Sequence, residues 1–186
     1  KSKAQYIAEG NIPFYEPGLA DILTRNIKSG RFSVADSVEE AIDASDVIFV
    51  CVGTPQNYDG SADLSQIENA GRTIAQNSRR DKLVVEKSTT PVSTSLRIKD
   101  TLQRYGQKNV NFEVAVNPEF LREGTGLYDF FNPDRIVIGV ESEEAKNTLP
   151  QLPVKPPLEI EKSEALLSYI IESEIKYKVL DLKSEL

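Results

Sequence analysis

Two periodicities alternate along this chain: short continuous apolar runs, and longer stretches whose apolar residues recur at helical spacing. Val47 to Val52 is an unbroken apolar run, the pattern of a strand covered on both faces. From Asp63 to Asn77, the residues Leu64, Ile67, Ala70, Gly71, Ile74 and Ala75 fall on one helical face, with Asp63 placed to start the helix. Leu83-Val84-Val85 predicts the next strand and Pro91 to Tyr105 the next helix. Phe112 to Val116 reads as a further strand, a short helix is expected near Glu119, and Arg135 to Val140 closes the series as a strand. Upstream, Ser37 to Ala44 reads as a short helix, and Tyr15 to Leu19 opens another with Pro17 suited to its first turn. Strands alternating with helices in this way imply βαβ units, hence an α/β fold with a doubly wound, mostly parallel sheet.

Beyond Glu143 the pattern changes. Pro150, Pro153, Pro156 and Pro157 predict a linker without regular structure. Glu159 to Leu186 then reads as a charged amphipathic helix, with Leu166, Leu167, Ile170, Ile171 and Ile175 on one side. The expected organisation is one domain over residues 1–149 and a linker with a helical tail at 150–186.

Composition narrows the function classes. A chain of 186 residues with 39% hydrophobic and 27% charged residues is ordinary for a globular domain. A net charge of −7 argues against a nucleic-acid or anionic-membrane surface. No apolar run approaches twenty residues and no basic-then-apolar leader stands at Lys1, so neither a membrane span nor a signal peptide is expected. The single cysteine, Cys51, excludes an internal disulfide, and its place in the run 47–52 makes it a packing residue rather than a nucleophile. A reducing cytoplasm fits best. With no histidine, a His-based triad and a His-ligated metal are excluded within these residues, and no metal site is expected. The absence of methionine extends to the initiator, so the sequence is expected to be part of something longer.

The chemistry-bearing residues follow the strands. After Val47 to Val52 comes Gly53-Thr54-Pro55, where Gly53 lets a ligand approach the backbone and Thr54 offers a hydroxyl at the sheet edge. Asp59-Gly60 marks a turn, and Asp63 is read as a helix cap. After Leu83-Val84-Val85 comes Glu86-Lys87-Ser88-Thr89-Thr90-Pro91, whose hydroxyls either cap the next helix or face a cofactor; local pattern favours capping. After Phe112 to Val116 comes Asn117-Pro118-Glu119-Phe120-Leu121-Arg122-Glu123-Gly124. The carboxyl edge of an open α/β sheet is where ligands bind. There Arg122 suits a two-phosphate ligand, while Glu119 and Glu123 suit sugar hydroxyls or a water; the same residues also read as a capped, solvated helix start. Arg135, in Asn132-Pro133-Asp134-Arg135, reads on its own as a surface ion-pair partner. The Gly-rich turn of a dinucleotide fold is missing, so tight NAD binding by these residues alone is not expected.

In order, these residues resemble the UDP-glucose/GDP-mannose dehydrogenase family. The matching stretches are Pro13 to Leu19, Asp46 to Asp63, Lys87 to Pro91, Asn117 to Gly124 and Asn132 to Gly139. Each is weak alone; their order over roughly residues 11–140 makes the resemblance specific. Tyr128-Asp129-Phe130 and Pro133 to Val137, with Phe120 to Gly124, look most like the members that oxidise UDP-glucose at C6, GDP-mannose dehydrogenases being the nearest competitor. The resemblance implies a Rossmann-like NAD domain and a double oxidation: two hydrides pass to two NAD⁺ through a thiol-bound intermediate that water hydrolyses. It further implies that Thr54 and Pro55 face NAD, and that Thr89 lies near the nicotinamide and the reacting carbon. Glu119, Phe120, Leu121, Arg122 and Glu123 would form the substrate loop, with Thr89, Glu119 and Glu123 as the catalytic group. Glu123 would also approach the cofactor and, with Thr89, position or activate water.

Several departures bear on activity. The family's first βαβ portion, with its glycine-rich turn, is expected to lie before Lys1, and its catalytic cysteine in a later domain that Cys51 does not match. Where the family uses a lysine and an asparagine on a long helix, Ser163 to Lys178 shows Ser168 and Glu172 beside a similar Tyr169. The expectation is therefore the NAD domain of a nucleotide-sugar dehydrogenase, a homodimer when complete, whose 186 residues alone are inactive. The alternatives are oxidation of GDP-mannose or a UDP-N-acetylhexosamine, or a non-catalytic relict serving as a binding or oligomerisation module.

Overall fold

A computed structural model describes residues 3–133, 135–149 and 176–181. By contacts the chain divides into two compact units. One takes the residues up to Asp36 together with Phe120–Arg135; the other takes Ser37–Glu119 and the segment from Ile136.

The second unit carries the sheet. Strands β1 (Val47–Val50), β2 (Lys82–Glu86) and β3 (Phe112–Val116) run parallel, linked by helices α4 (Ser65–Asn77) and α5 (Thr94–Tyr105). Strand β4 (Arg135–Val140) joins β3 antiparallel, and β5 (Lys176–Asp181) follows it in the order β1-β2-β3-β4-β5. The architecture is α/β with a mostly parallel, doubly wound, Rossmann-like sheet.

Period-2 alternation sorts the strand residues between two cores. Val50, Val84, Phe112 and Val114 pack with Ile67, Ile74, Ile98 and Leu102 of α4 and α5, joined by Ile42 of α3 (Val38–Ala44). Leu83, Val85, Ala115, Ile138 and Val140 pack on the other face with Ala145 and Leu149, beside α7 (Glu143–Thr148). All five β2 residues are buried, as a central strand requires. Ser37 caps α3 by accepting the Glu40 N–H at 3.1 Å, and the Asp63 carboxylate accepts the Ser65 N–H at 2.9 Å at the start of α4.

In the first unit, α1 (Lys3–Ala8) and α2 (Leu19–Lys28) precede the segment that ends in α6 (Gly126–Phe131). Pro17 does not open α2 as its sequence suggests. Glu16-Pro17-Gly18-Leu19 forms a turn closed by Leu19 N–H to Glu16 O at 3.2 Å, with Gly18 at φ 81°, ψ −14°. That is a type II turn, which takes proline and then glycine at its centre.

Other expectations are corrected. Strand β1 stops at Val50; Val50 and Ile48 pack into one core and Val47 against the other, while Phe49 departs from the expected cover and is 45% exposed. Cys51, two residues on, is exposed rather than packed in a strand core. No helix forms at Glu119. Pro118 disfavours helical backbone at Asn117, the Arg122 N–H donates to Asp129 at 3.0 Å, and Gly124 sits at φ 80°. Helix α7, with Ser142 accepting the Ala145 N–H at 3.1 Å, forms without a long apolar pattern to announce it. Within the helix expected at 159–186, Lys176–Asp181 is a strand, in keeping with the alternation Lys176-Tyr177-Lys178-Val179; the rest of that helix and the Pro-rich linker lie outside the described residues.

Candidate functional site

The carboxyl ends of β1, β2 and β3 converge within the second unit, and side chains stitch their loops together. Beyond Val50, the backbone N–H groups of Lys87 and Ser88 donate to its carbonyl at 3.0 and 3.2 Å. The Ser88 hydroxyl accepts the Val52 N–H at 2.9 Å and donates to the Val52 carbonyl at 2.8 Å. Thr54 Oγ1 donates to the Thr89 carbonyl at 2.8 Å. Thr54 and Thr89 are thus brought together, with Pro55 and Thr89 exposed at the edge. The hydroxyls after β2 do not cap α5, contrary to the local pattern. Ser88 serves β1, Thr90 Oγ1 donates to Glu86 Oε1 at 2.7 Å, and the α5 N-cap Ser93 makes no side-chain cap bond.

Glu86 is 1% exposed, and burial raises its carboxyl pKa against the opposing effect of the Thr90 hydrogen bond. Lys87 is half-buried, and its Nζ donates to Asn117 Oδ1 at 3.1 Å. Burial lowers the Lys87 ammonium pKa, and attraction to Cys51 and Glu119 opposes that shift. Partial burial raises the Cys51 thiol, with Lys87 opposing, although the residue as a whole is exposed. A thiol kept protonated is a poor nucleophile. Sequence reasoning passed over Lys87 and Asn117 as site residues; their pairing crosses from the end of β2 to the end of β3, which no local pattern signals.

Phe120, Leu121, Arg122 and Glu123 are exposed and belong to the first unit. Arg122 forms a two-pronged pair with Asp129, Nε to Oδ2 at 3.0 Å and the terminal nitrogen to Oδ1 at 2.6 Å. That bond holds the Asp129 carboxyl down at about 2, well below the ordinary range. Arg122 is therefore engaged inside its own loop, and a phosphate would have to share it. The Glu16 carboxylate accepts the Gly124 N–H at 3.1 Å and the Leu127 N–H at 2.9 Å. Of the remaining motif, Asp134 lies outside the described residues. No cluster of metal-ligating side chains occurs among the described residues.

The strand-end residues fit a nicotinamide dinucleotide in part. A Cβ added at Gly53 would meet only the Gln66 amide, at 3.6 Å, so the protein's own packing does not require glycine there. A glycine free of internal demand at the end of a strand leaves room for a ligand against the backbone. The Thr54 hydroxyl, having donated to Thr89, keeps its lone pairs for a ligand donor. The pyrophosphate cradle is not among these residues.

Comparison with known proteins identifies the family. Residues 1–153 match the NAD-binding domain of the UDP-glucose/GDP-mannose dehydrogenase family. The UDP-glucose 6-dehydrogenase YwqF of Bacillus subtilis is 43% identical over 150 residues, 81% of this chain and 34% of that protein. Among solved structures, a UDP-glucose dehydrogenase from Pyrobaculum islandicum superposes with a TM-score of 0.80 at 38% identity, over 98% of this chain and 39% of its own. The GDP-mannose dehydrogenase of Pseudomonas aeruginosa gives 0.76 at 30% identity, over 96% of this chain and 38% of its own. The chain thus spans little more than a third of the length of these relatives. It belongs to the UDP-glucose/GDP-mannose dehydrogenase family, whose members are NAD-dependent nucleotide-sugar dehydrogenases, and matches that family's NAD-binding domain.

Proposed function

We propose that this chain is the NAD-binding portion of an enzyme that oxidises C6 of UDP-glucose to the carboxylate of UDP-glucuronate. The observation that carries the reading is the stitched edge at β1 and β2, where Thr54 Oγ1 meets the Thr89 carbonyl at 2.8 Å beside exposed Pro55. NAD, when bound, supplies the hydride acceptor. Thr54 and Pro55 bind the cofactor at the strand end, and the exposed Thr89 hydroxyl orients the reacting C6 group. Glu119 and Glu123 take up protons from the C6 hydroxyl or from water, a role open to a carboxylate near neutral pH. Phe120, Leu121 and Arg122 contact the nucleotide sugar. UDP-glucose is favoured over GDP-mannose because the identity to the Pyrobaculum UDP-glucose dehydrogenase, 38%, exceeds that to the Pseudomonas GDP-mannose dehydrogenase, 30%.

The 186 residues are expected not to complete the double oxidation by themselves, because their single thiol, Cys51, does not match the family's catalytic cysteine and none is placed to hold the intermediate. In this reading the complete protein works in the cytoplasm as a homodimer, and residues 1–149 and 150–186 are its NAD-domain portion and a connecting segment. The test is NADH formation from UDP-glucose, GDP-mannose and UDP-N-acetylhexosamines, with the complete protein and with this chain alone. Two NADH per UDP-glucose from the complete protein and none from this chain is the expected result. NADH from the chain alone overturns the division of labour, and preference for another sugar overturns the substrate.

A further inference from the structure

The segment Phe120 to Thr125 has no helix or strand of its own, so its shape depends on what holds it. Part of the hold is internal: Arg122 and Thr125 both donate to Asp129, and the Thr125 N–H reaches the Arg122 carbonyl at 3.1 Å. A further hold comes from more than a hundred residues earlier in the chain. Glu16 Oε2 accepts the Gly124 N–H at 3.1 Å and Oε1 accepts the Leu127 N–H at 2.9 Å. The Leu127 N–H lies in the first turn of α6, where backbone donors lack an intrahelical partner, and the α6 N-cap Thr125 makes no side-chain cap bond. Glu16 supplies what the local sequence does not.

The carboxylate is delivered by a rigid turn. Pro17 and Gly18 occupy the centre of the type II turn, and Gly18 lies so close to the start of α6 that an added Cβ would meet Leu127 Cδ2 at 3.3 Å. A preset turn, a half-buried carboxylate and two amides on two oxygens make a hold that spends little ordering entropy when a ligand arrives.

We propose that Glu16 is a positioning residue: it keeps the loop carrying Phe120, Leu121, Arg122 and Glu123 in the form that receives the nucleotide sugar. The proposal rests on the functional reading above, and two variants separate the two. Glu16→Ala removes both acceptors; Glu16→Gln keeps the side-chain volume and one carbonyl acceptor. Amide hydrogen exchange at Gly124 and Leu127, and steady-state kinetics with UDP-glucose and NAD, are measured on the complete protein. In Glu16→Ala, exchange at both amides rises about tenfold or more and KM for UDP-glucose rises about tenfold, the loss of roughly one net hydrogen bond. The kcat falls by less than KM for UDP-glucose rises, because saturating substrate restores the loop that carries Glu123, and KM for NAD changes less than KM for UDP-glucose. Glu16→Gln falls between Glu16→Ala and the native protein. Unchanged exchange, or faster exchange with an unchanged KM for UDP-glucose, overturns the proposal. So does a kcat loss that matches the KM change for both substrates, which reports general damage. Native protein that oxidises no nucleotide sugar overturns the functional reading and this proposal with it, whereas active native protein indistinguishable from Glu16→Ala overturns this proposal alone.

Discussion

Lys87 and Asn117 join the ends of two neighbouring parallel strands, the ammonium donating to the amide oxygen at 3.1 Å. The other half of the same amide donates to the Val137 carbonyl at 2.8 Å, so Asn117 ties β2, β3 and β4 at one point. Its own N–H goes to the Glu86 carbonyl at 2.9 Å. Asn117→Ala leaves a half-buried ammonium without that partner and should lower stability by about 1–3 kcal/mol, read as a shifted urea midpoint.

Glu86 gives a pH-dependent prediction. A carboxyl whose pKa is raised on folding supports the fold fully below its unfolded value, near 4.5, and loses that support as pH rises through the folded value. Glu86→Gln is uncharged at every pH and can still accept from Thr90 Oγ1. It should be more stable than the native chain at about pH 8, with the gap closing toward about pH 4. Urea titrations at the two pH values check this; a gap that stays constant means that charge burial is not the cause.

Asp129 runs the opposite way. Its pKa is depressed to about 2 by the Arg122 hydrogen bond, so its contribution is present above the unfolded value of 3.8 and is lost as pH falls toward 2. Asp129→Asn should therefore melt below the native chain at neutral pH and converge with it in that acid window. Thermal melts from neutral pH down to that range test the sign.

Gly106 follows α5 at a point of close approach. An added Cβ would lie 2.6 Å from both the Leu102 carbonyl and Phe112 Cε2. One obstacle is backbone and the other a buried ring, so neither can yield cheaply. Gly106→Ala should cost about 1–3 kcal/mol, measured by denaturant unfolding.

Thr89 separates function from stability. It is exposed, and no hydrogen bond among the described residues uses its hydroxyl, only its carbonyl. Thr89→Ala should leave the melting point within about 1 °C while lowering kcat of the complete protein by about 10²-fold or more. A mutant that melts early, or that turns over normally, contradicts the assigned role.

The sheet was legible before any coordinates because its signals are local. The apolar runs at 83–85, 112–116 and 135–140 lie within or coincide with β2, β3 and β4, and helical spacing marked α4. Capping at Ser37 and Asp63 needs only neighbours two or three residues away. Periodicity and turn chemistry are set by short-range sterics and by which side of an element meets water, and both are written in consecutive residues.

What the sequence could not decide on its own is which distant groups meet. Phe49 and Cys51 are exposed although both lie in the apolar run 47–52, because exposure depends on which elements pack on each face and not on the run itself. Arg122 pairs with Asp129 seven residues on, a partner that its motif does not announce, and the segment near Glu119 is not helical because its N–H groups find other acceptors. Glu16, read only as part of a motif at a helix start, bonds amides 108 and 111 residues away. Local pattern determined the elements, their order and the motifs at their ends. Only tertiary structure could choose these partners, because a carboxylate or an amide in sequence is satisfied equally well by water, and the folded chain decides which donors it finds once water is displaced.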